Sequence, residues 1–464
     1  MKKYLKQFLH LIIMFFIVFA FSTSCTKDNP NPETDPDNDS QLDPLAAIKK
    51  YTLDVMTDIY YWYKDVPQNI NAYPIKTISA YFDTLLVPID RWSWMMTGQE
   101  YLNSEAGILE TYGISLSQPI DYYNDYSVRV RFVYPDSPMS DNDVKRGYEL
   151  TLLNGTPVNT LISNGTFNSV YSQKSNSFTF KKHDGQSYTF TATARIVNTR
   201  SALKTSVYGP ADYPSLPYNV GYFNYLSFKA GMLDDINDAM KIFKETGIKE
   251  LILDLRYNGG GDGRATSLLA NYLAPASANN KLLAQREHND RYSSWDSDET
   301  TKTIIERIAG SLDLDRLFIL TTKGSASASE VILNGLDPLM NVVQVGSTSY
   351  GKPNGMYVLP YPDGDYETPQ YVFLPICFFS INSIGYGHYV DGIAPDHYRP
   401  DDLYHDFGLE DDWIKAIMQY ITIGSFPALP PKTNPAYFLS PKNKIDLPED
   451  NKNYGVYKVY PIND

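Results

Sequence analysis

Ser327 and Lys352 are the two residues of this chain whose types and spacing could do nucleophilic chemistry together. Ser327 lies in Gly324-Ser-Ala-Ser-Ala-Ser-Glu330, and Lys352 follows in Tyr350-Gly-Lys352. A serine hydroxyl is a poor nucleophile until a base takes its proton. A lysine amine can be that base only when neutral. Free lysine titrates near ~10.4, so it must first be desolvated. Lowering it by about three units costs ~4 kcal/mol, which burial in the fold has to supply. The residue pattern predicts a buried strand over 316–322 and a helix over 330–336, with Ser327 on the turn between them. Backbone N–H groups at such a helix start can hold an oxyanion. Ser327-Ala-Ser-Glu330 also reads as a capping box, in which the serine merely ties down the helix end.

Other landmarks stand in a fixed order around this pair. They are Asp254-Leu-Arg256-Tyr-Asn258-Gly-Gly-Gly261, Val345-Gly346, and Asp391-Gly-Ile-Ala-Pro-Asp396. Together with the serine turn and the Gly-Lys loop they resemble the C-terminal processing peptidases, or tail-specific proteases, over roughly residues 105–400. The resemblance implies an α/β fold with a ClpP/crotonase-like layered protease core. It implies Ser327 as nucleophile, Lys352 as general base, and an oxyanion hole of Ala328 and Gly260, with Gly259 the alternative to the latter. Asp254 and Arg256 would hold the strand end. Many family members carry glutamine four residues after the lysine. Here that position is Met356, a poor hydrogen-bonding group, which leaves Asn354, Ser349 or Glu330 to orient the amine. The related fold also serves as a non-catalytic module, so a peptide-binding lipoprotein of weak or lost activity is the alternative reading. A glycan-binding surface protein is suggested only by the 38 tyrosines, whose apolar faces and polar tips suit wet grooves.

The elements that must position this pair divide the chain. Residues 45–104 read as a small helical N-terminal domain, with Ile48, Val55, Ile59 and Trp62 at helical spacing. Residues 105–199 switch to short alternating strands whose order resembles a PDZ domain. There Gly113, Ile114 and Ser115 would form the N–H nest that captures a peptide's terminal carboxylate. Residues 200–430 alternate strand and helix, as an α/β core requires: strands 220–226 and 250–255, helices 232–246 and 263–273. Within it, 276–311 is polar and reads as an insertion. Residues 431–464 are a C-terminal extension with no reading of their own.

Lys2, Lys3 and Lys6 precede an apolar run over 11–21 and then Ser22-Thr-Ser-Cys25, so residues 1–24 read as a lipoprotein signal peptide. Cys25 would carry the lipid, and the Asp-, Asn- and Pro-rich stretch 25–44 would tether the protein to the cell envelope of a Gram-negative-type bacterium. The other cysteine, Cys377, sits in an apolar run and reads as a buried strand residue. A net charge of −14 argues against nucleic acid as a partner. Gly346-Ser-Thr-Ser-Tyr-Gly-Lys352 matches a phosphate loop in spacing, but Pro353 supplies neither the hydroxyl nor the N–H such a loop needs. The histidines lack metal-binding spacing. The expected partners are therefore polypeptide substrates and, through the lipid, a membrane, with no cofactor.

Overall fold

The computed structural model describes residues 43–117, 127–429 and the strand 456–459. The signal peptide, Cys25 and nearly all of the tether lie outside the described residues. In chain order the core begins with β1 (Ala202–Tyr208), β2 (Val220–Tyr225), α1 (Leu233–Thr246), β3 (Glu250–Asp254), β4 (Gly260–Asp262) and α2 (Gly263–Leu273). It continues with β5 (Leu282–His288), β6 (Lys302–Ile304), β7 (Arg316–Thr321), α3 (Ala328–Leu336), β8 (Val342–Gly346) and β9 (Asn354–Tyr357). Last come β10 (Ile376–Ile381), β11 (His397–Tyr398), α4 (Asp412–Ile423) and β12 (Val456–Val459).

Two six-stranded sheets carry the core. The first has the order β1-β2-β3-β7-β8-β11, parallel throughout except for β1. Its interior strands β2 and β3 are buried at every position, as strands covered on both faces must be. Helices α1, α2 and α3 pack on one face around Phe243, Leu269, Val331 and Leu333. On the other face α4 buries Trp413, Ile414, Ile417 and Met418 against Ile252, Phe318 and Val345. The second sheet runs β4-β12-β9-β10-β5-β6. It contributes Leu283, Tyr357 and Phe378 to the core beneath α2 and α3.

Residues 276–311 are not an insertion. They supply β5 and β6, which pair with β10 and with each other, while Leu283, Ala284 and Ile305 are buried in the core. Their polar residues misled because most side chains of these two strands are only half-buried and few enter the core.

Outside the core, residues 105–199 build a four-stranded antiparallel sheet (156–157, 149–153, 175–181, 187–193) and two strand pairs, around a core of their own. Near the N-terminus, helices Ala46–Asp58 and Ile78–Leu85 bury Ile48, Met56, Tyr81, Phe82 and Leu85. The buried face of the first runs through Ile48, Thr52 and Met56, one position beyond the expected Val55. Its core is shared with Met356, Val358, Phe373 and Ile376, so this segment braces the strands that follow Lys352.

Candidate active site

Ser327 sits where β7 turns into α3, with φ 54° and ψ −112°. A positive φ at a residue with a Cβ stores on the order of 1–3 kcal/mol and persists only where the surroundings enforce it. The enforcement is visible. Ser325 Oγ donates to Leu255 O at 2.7 Å, and Ser329 Oγ donates to Asn258 O at 2.8 Å. Ala326 N donates to the same Asn258 carbonyl at 3.0 Å. The two flanking serines thus pin the turn to the 254–261 loop and leave the middle serine displaced from helical geometry. Ser327 is fully buried, yet its Oγ makes no hydrogen bond. A serine acting as a helix cap would spend that hydroxyl on the helix. This one is unspent, so only the acidic half of the expected capping box exists: Glu330 accepts the Ser327 N–H at 2.9 Å.

Glu330 is the residue whose role the sequence understated. One carboxylate oxygen accepts from Ser349 Oγ at 2.5 Å and Gly351 N at 2.7 Å. The other accepts from Ser327 N at 2.9 Å and Lys352 N at 2.8 Å. One side chain therefore sets the nucleophile turn and the lysine loop relative to each other. Burial pushes its carboxyl above the usual glutamate range, although all four hydrogen bonds pull the other way. The capping-box spacing flagged Glu330, but no local pattern could reveal the bonds to residues 349–352.

Lys352 is fully buried, and its Nζ lies 3.7 Å from Met356 Sδ, where many relatives of the resembled family carry a glutamine. Of the residues suggested to orient the amine, Ser349 and Glu330 are bound to each other. Asn354 is buried with neither amide atom hydrogen-bonded. Alternate strand residues share a face, which puts Asn354 on the same side of β9 as Met356. Arg91, from the N-terminal segment, reaches Gly351 O at 3.2 Å and Val390 O at 2.7 Å, fastening the loop from outside.

Gly260 meets the serine turn directly. A Cβ built on it would stand 2.9 Å from Ser327 Cβ and 3.0 Å from Ala328 N, and its φ of +101° suits glycine. The expected neighbours Ser327, Ala328 and Gly260 are therefore brought together. The donor role expected of Gly260 needs correction, because its N–H already donates to Asn258 Oδ1 at 2.8 Å. In this conformation Gly260 gives clearance, and Gly259 is the position left for a second donor.

Asp254 and Arg256 hold the strand end as expected. Arg256 binds Asp254 at 2.7 Å and Asp411 at 2.7 Å, with all three side chains buried. Arg146, from the 105–199 segment, joins them through Tyr257 Oη at 2.9 Å. Gly113, Ile114 and Ser115 are all buried, and the Gly113 N–H donates to Thr111 Oγ1 at 2.9 Å. The nest expected there is accordingly closed at Gly113. Cys377 is buried and unpaired, and burial pushes its thiol up to about 12, as suits a packing residue.

Residues 219–396 match the family model described as Peptidase family S41, and residues 47–94 match the Peptidase S41 N-terminal domain. Over 147 residues the chain is 25% identical to the carboxy-terminal processing protease CtpB of Bacillus subtilis, covering 32% of this chain and 28% of that protein. Over 146 residues it is 28% identical to that organism's CtpA, covering 32% and 29%. The chain thus matches under a third of the length of these relatives. A solved structure from Bacteroides fragilis, assigned to the S41 proteases, superposes with a TM-score of 0.62 at 22% identity, covering 80% of this chain and 96% of that one, and so shares the fold. The chain thus carries a segment that matches the peptidase family S41 domain, preceded by one that matches the S41 N-terminal domain, in that order.

Proposed function

We propose that the protein is a serine endopeptidase that cleaves polypeptides with Ser327 as nucleophile and Lys352 as base. The observation that carries this reading is the unbonded, buried Ser327 hydroxyl on a strained turn that one carboxylate ties to the lysine loop. In the proposed cycle neutral Lys352 takes the Ser327 proton as Oγ attacks the peptide carbonyl. The Ala328 N–H, with that of Gly259, stabilises the oxyanion. The protonated lysine then gives its proton to the leaving amine, and water resolves the acyl-enzyme. Loss of an oxyanion donor in such sites costs about 10²–10³ in rate.

Substrates are proposed to be C-terminal regions of extracytoplasmic proteins, with residues 105–199 acting as a PDZ-like peptide-capture domain and Cys25 carrying a lipid anchor. Support for these points comes from the order of the strand landmarks and from the basic, apolar and small-residue run before Cys25. Equal affinity for one peptide as free acid and as amide would remove tail specificity while leaving cleavage within chains. A membrane-extracted protein without a diacylglycerol mass adduct would remove the anchor.

The central test is peptide digestion by Ser327→Ala, Lys352→Ala and Lys352→Arg variants with melting temperature measured alongside. Each should lose cleavage while staying folded, arginine included because it stays charged. The double Ser327→Ala/Lys352→Ala variant should be no worse than either single change. A stable, fully active Ser327→Ala protein would end the assignment.

A further inference from the structure

Strand β12, Val456–Val459, lies far along the chain from every catalytic landmark, yet it completes the sheet at the active site. It runs parallel to β4 on one side, with Gly260 opposite Val456 and Asp262 opposite Lys458. It runs parallel to β9 on the other, with Met356 opposite Lys458 and Tyr357 opposite Val459. Without it, β4 and β9 would face each other across about 9.6 Å, two strand spacings, each with an unpaired edge. That gap is a slot for one extended polypeptide strand, bonded on both sides.

The slot's two walls are the two halves of the proposed catalytic machinery. β4 begins at Gly260, where an added Cβ would stand 2.9 Å from Ser327 Cβ and 3.0 Å from Ala328 N. β9 carries Met356, whose sulfur is 3.7 Å from Lys352 Nζ. A second observation points the same way: Ser327 and Lys352 are both entirely shielded from solvent, although a peptidase serine must meet a polypeptide.

We propose that Val456–Val459 is an intramolecular occupant of the polypeptide-strand slot between β4 and β9, and that it keeps the Ser327–Lys352 centre closed until a substrate strand displaces it. This rests on the peptidase reading. It adds that the enzyme takes its substrate as an extended strand running parallel to both walls, and that its own chain competes for that place.

The test uses the full chain. Tyr457→Pro/Lys458→Pro removes two backbone N–H groups from the strand, so neither wall can hold it as before. Lys458→Pro alone is the milder second variant, and melting curves check that each remains folded. In the Ser327→Ala background, the fluorescent peptide Tyr-Gly-Val-Tyr-Lys-Val-Tyr-Pro (residues 454–461) should bind the proline variants at least tenfold more tightly than the protein with its strand intact. With Ser327 present, the proline variants should cleave a quenched peptide at least tenfold faster, and the 454–461 peptide added in trans should inhibit them competitively. Selective binding without turnover by any variant would uphold the occupied slot and count against the peptidase reading instead. Equal peptide binding with and without the prolines, or turnover unchanged by them in an active enzyme, overturns the proposal.

Discussion

Two buried ionic clusters flank the 254–261 loop, and they are built on opposite plans. On one side Arg256 and Arg146 meet Asp254, Asp411 and Asp401, cation against anion. On the other, Glu330 is held by one hydroxyl and three backbone N–H groups, with no cationic side chain among its bonded partners. Paired charges tolerate small movements because Coulomb attraction falls off slowly with distance. Hydrogen bonds to backbone N–H groups are directional and fail within a few tenths of an ångström. The first arrangement suits holding a frame together. The second suits setting the relative position of two reacting segments.

The largest effect expected from breaking this contrast is on stability at the paired cluster. Arg256→Leu leaves two buried carboxylates facing each other without their cation and should cost about 3–5 kcal/mol. Denaturant unfolding measures it, and a loss under 1 kcal/mol would show that the cluster does not hold the frame. Next comes Glu330→Gln, which keeps size and shape but turns one acceptor into a donor facing donors. Peptide turnover should fall about 100-fold, near 3 kcal/mol of transition-state stabilisation, with a smaller loss of melting temperature. Because burial raises the Glu330 carboxyl, the acid limb of the wild-type activity profile should lie above the usual glutamate range. Wild-type activity that persists unchanged below that range would refute the clamp.

A pH series sharpens the comparison from the other side. Burial pushes the Asp411 carboxyl up to about 6 despite Arg256 beside it. A carboxyl with a raised folded-state pKa binds its proton more tightly folded than unfolded. Its contribution to stability is therefore full below about pH 4 and is lost as pH rises through 6. Asp411→Asn should flatten that part of the stability curve in chemical denaturation, while an unchanged slope would place the titration elsewhere. The smallest effect is expected at Ser329→Ala, which removes one hydrogen bond to Asn258 O and should cost about 1 kcal/mol with turnover reduced less than tenfold. A loss as deep as that of Ser327→Ala would give Ser329 a chemical role.

Much of the core was legible because its elements follow local rules. Helix 263–273 is found at its expected limits, and strand 250–254 ends one residue short of expectation. Ser327, Ala328 and Gly260 could be named because tight turns and close backbone approaches demand small residues in short runs, which survive as motifs. The segment 276–311 was lost for the opposite reason: its many polar residues outweighed the few, Ala278, Leu283, Ala284 and Ile305, that enter the core. Arg91 was invisible too, since its bond to Gly351 O joins positions 260 apart in sequence.

The sequence alone determined which groups can react: a serine on a strand-to-helix turn, a lysine after a glycine, and a glycine run beside them. These are covalent facts plus local backbone preference, and neither needs a partner. Only the tertiary structure decided that Glu330 joins the serine turn to the lysine loop. It also placed β12 between the two walls of the site. Hydrogen bonding between separate segments, whether 19 residues apart as for Glu330 and Ser349 or about a hundred as for β9 and β12, depends on where the packed core brings their backbones, and no local pattern of side chains encodes that distance.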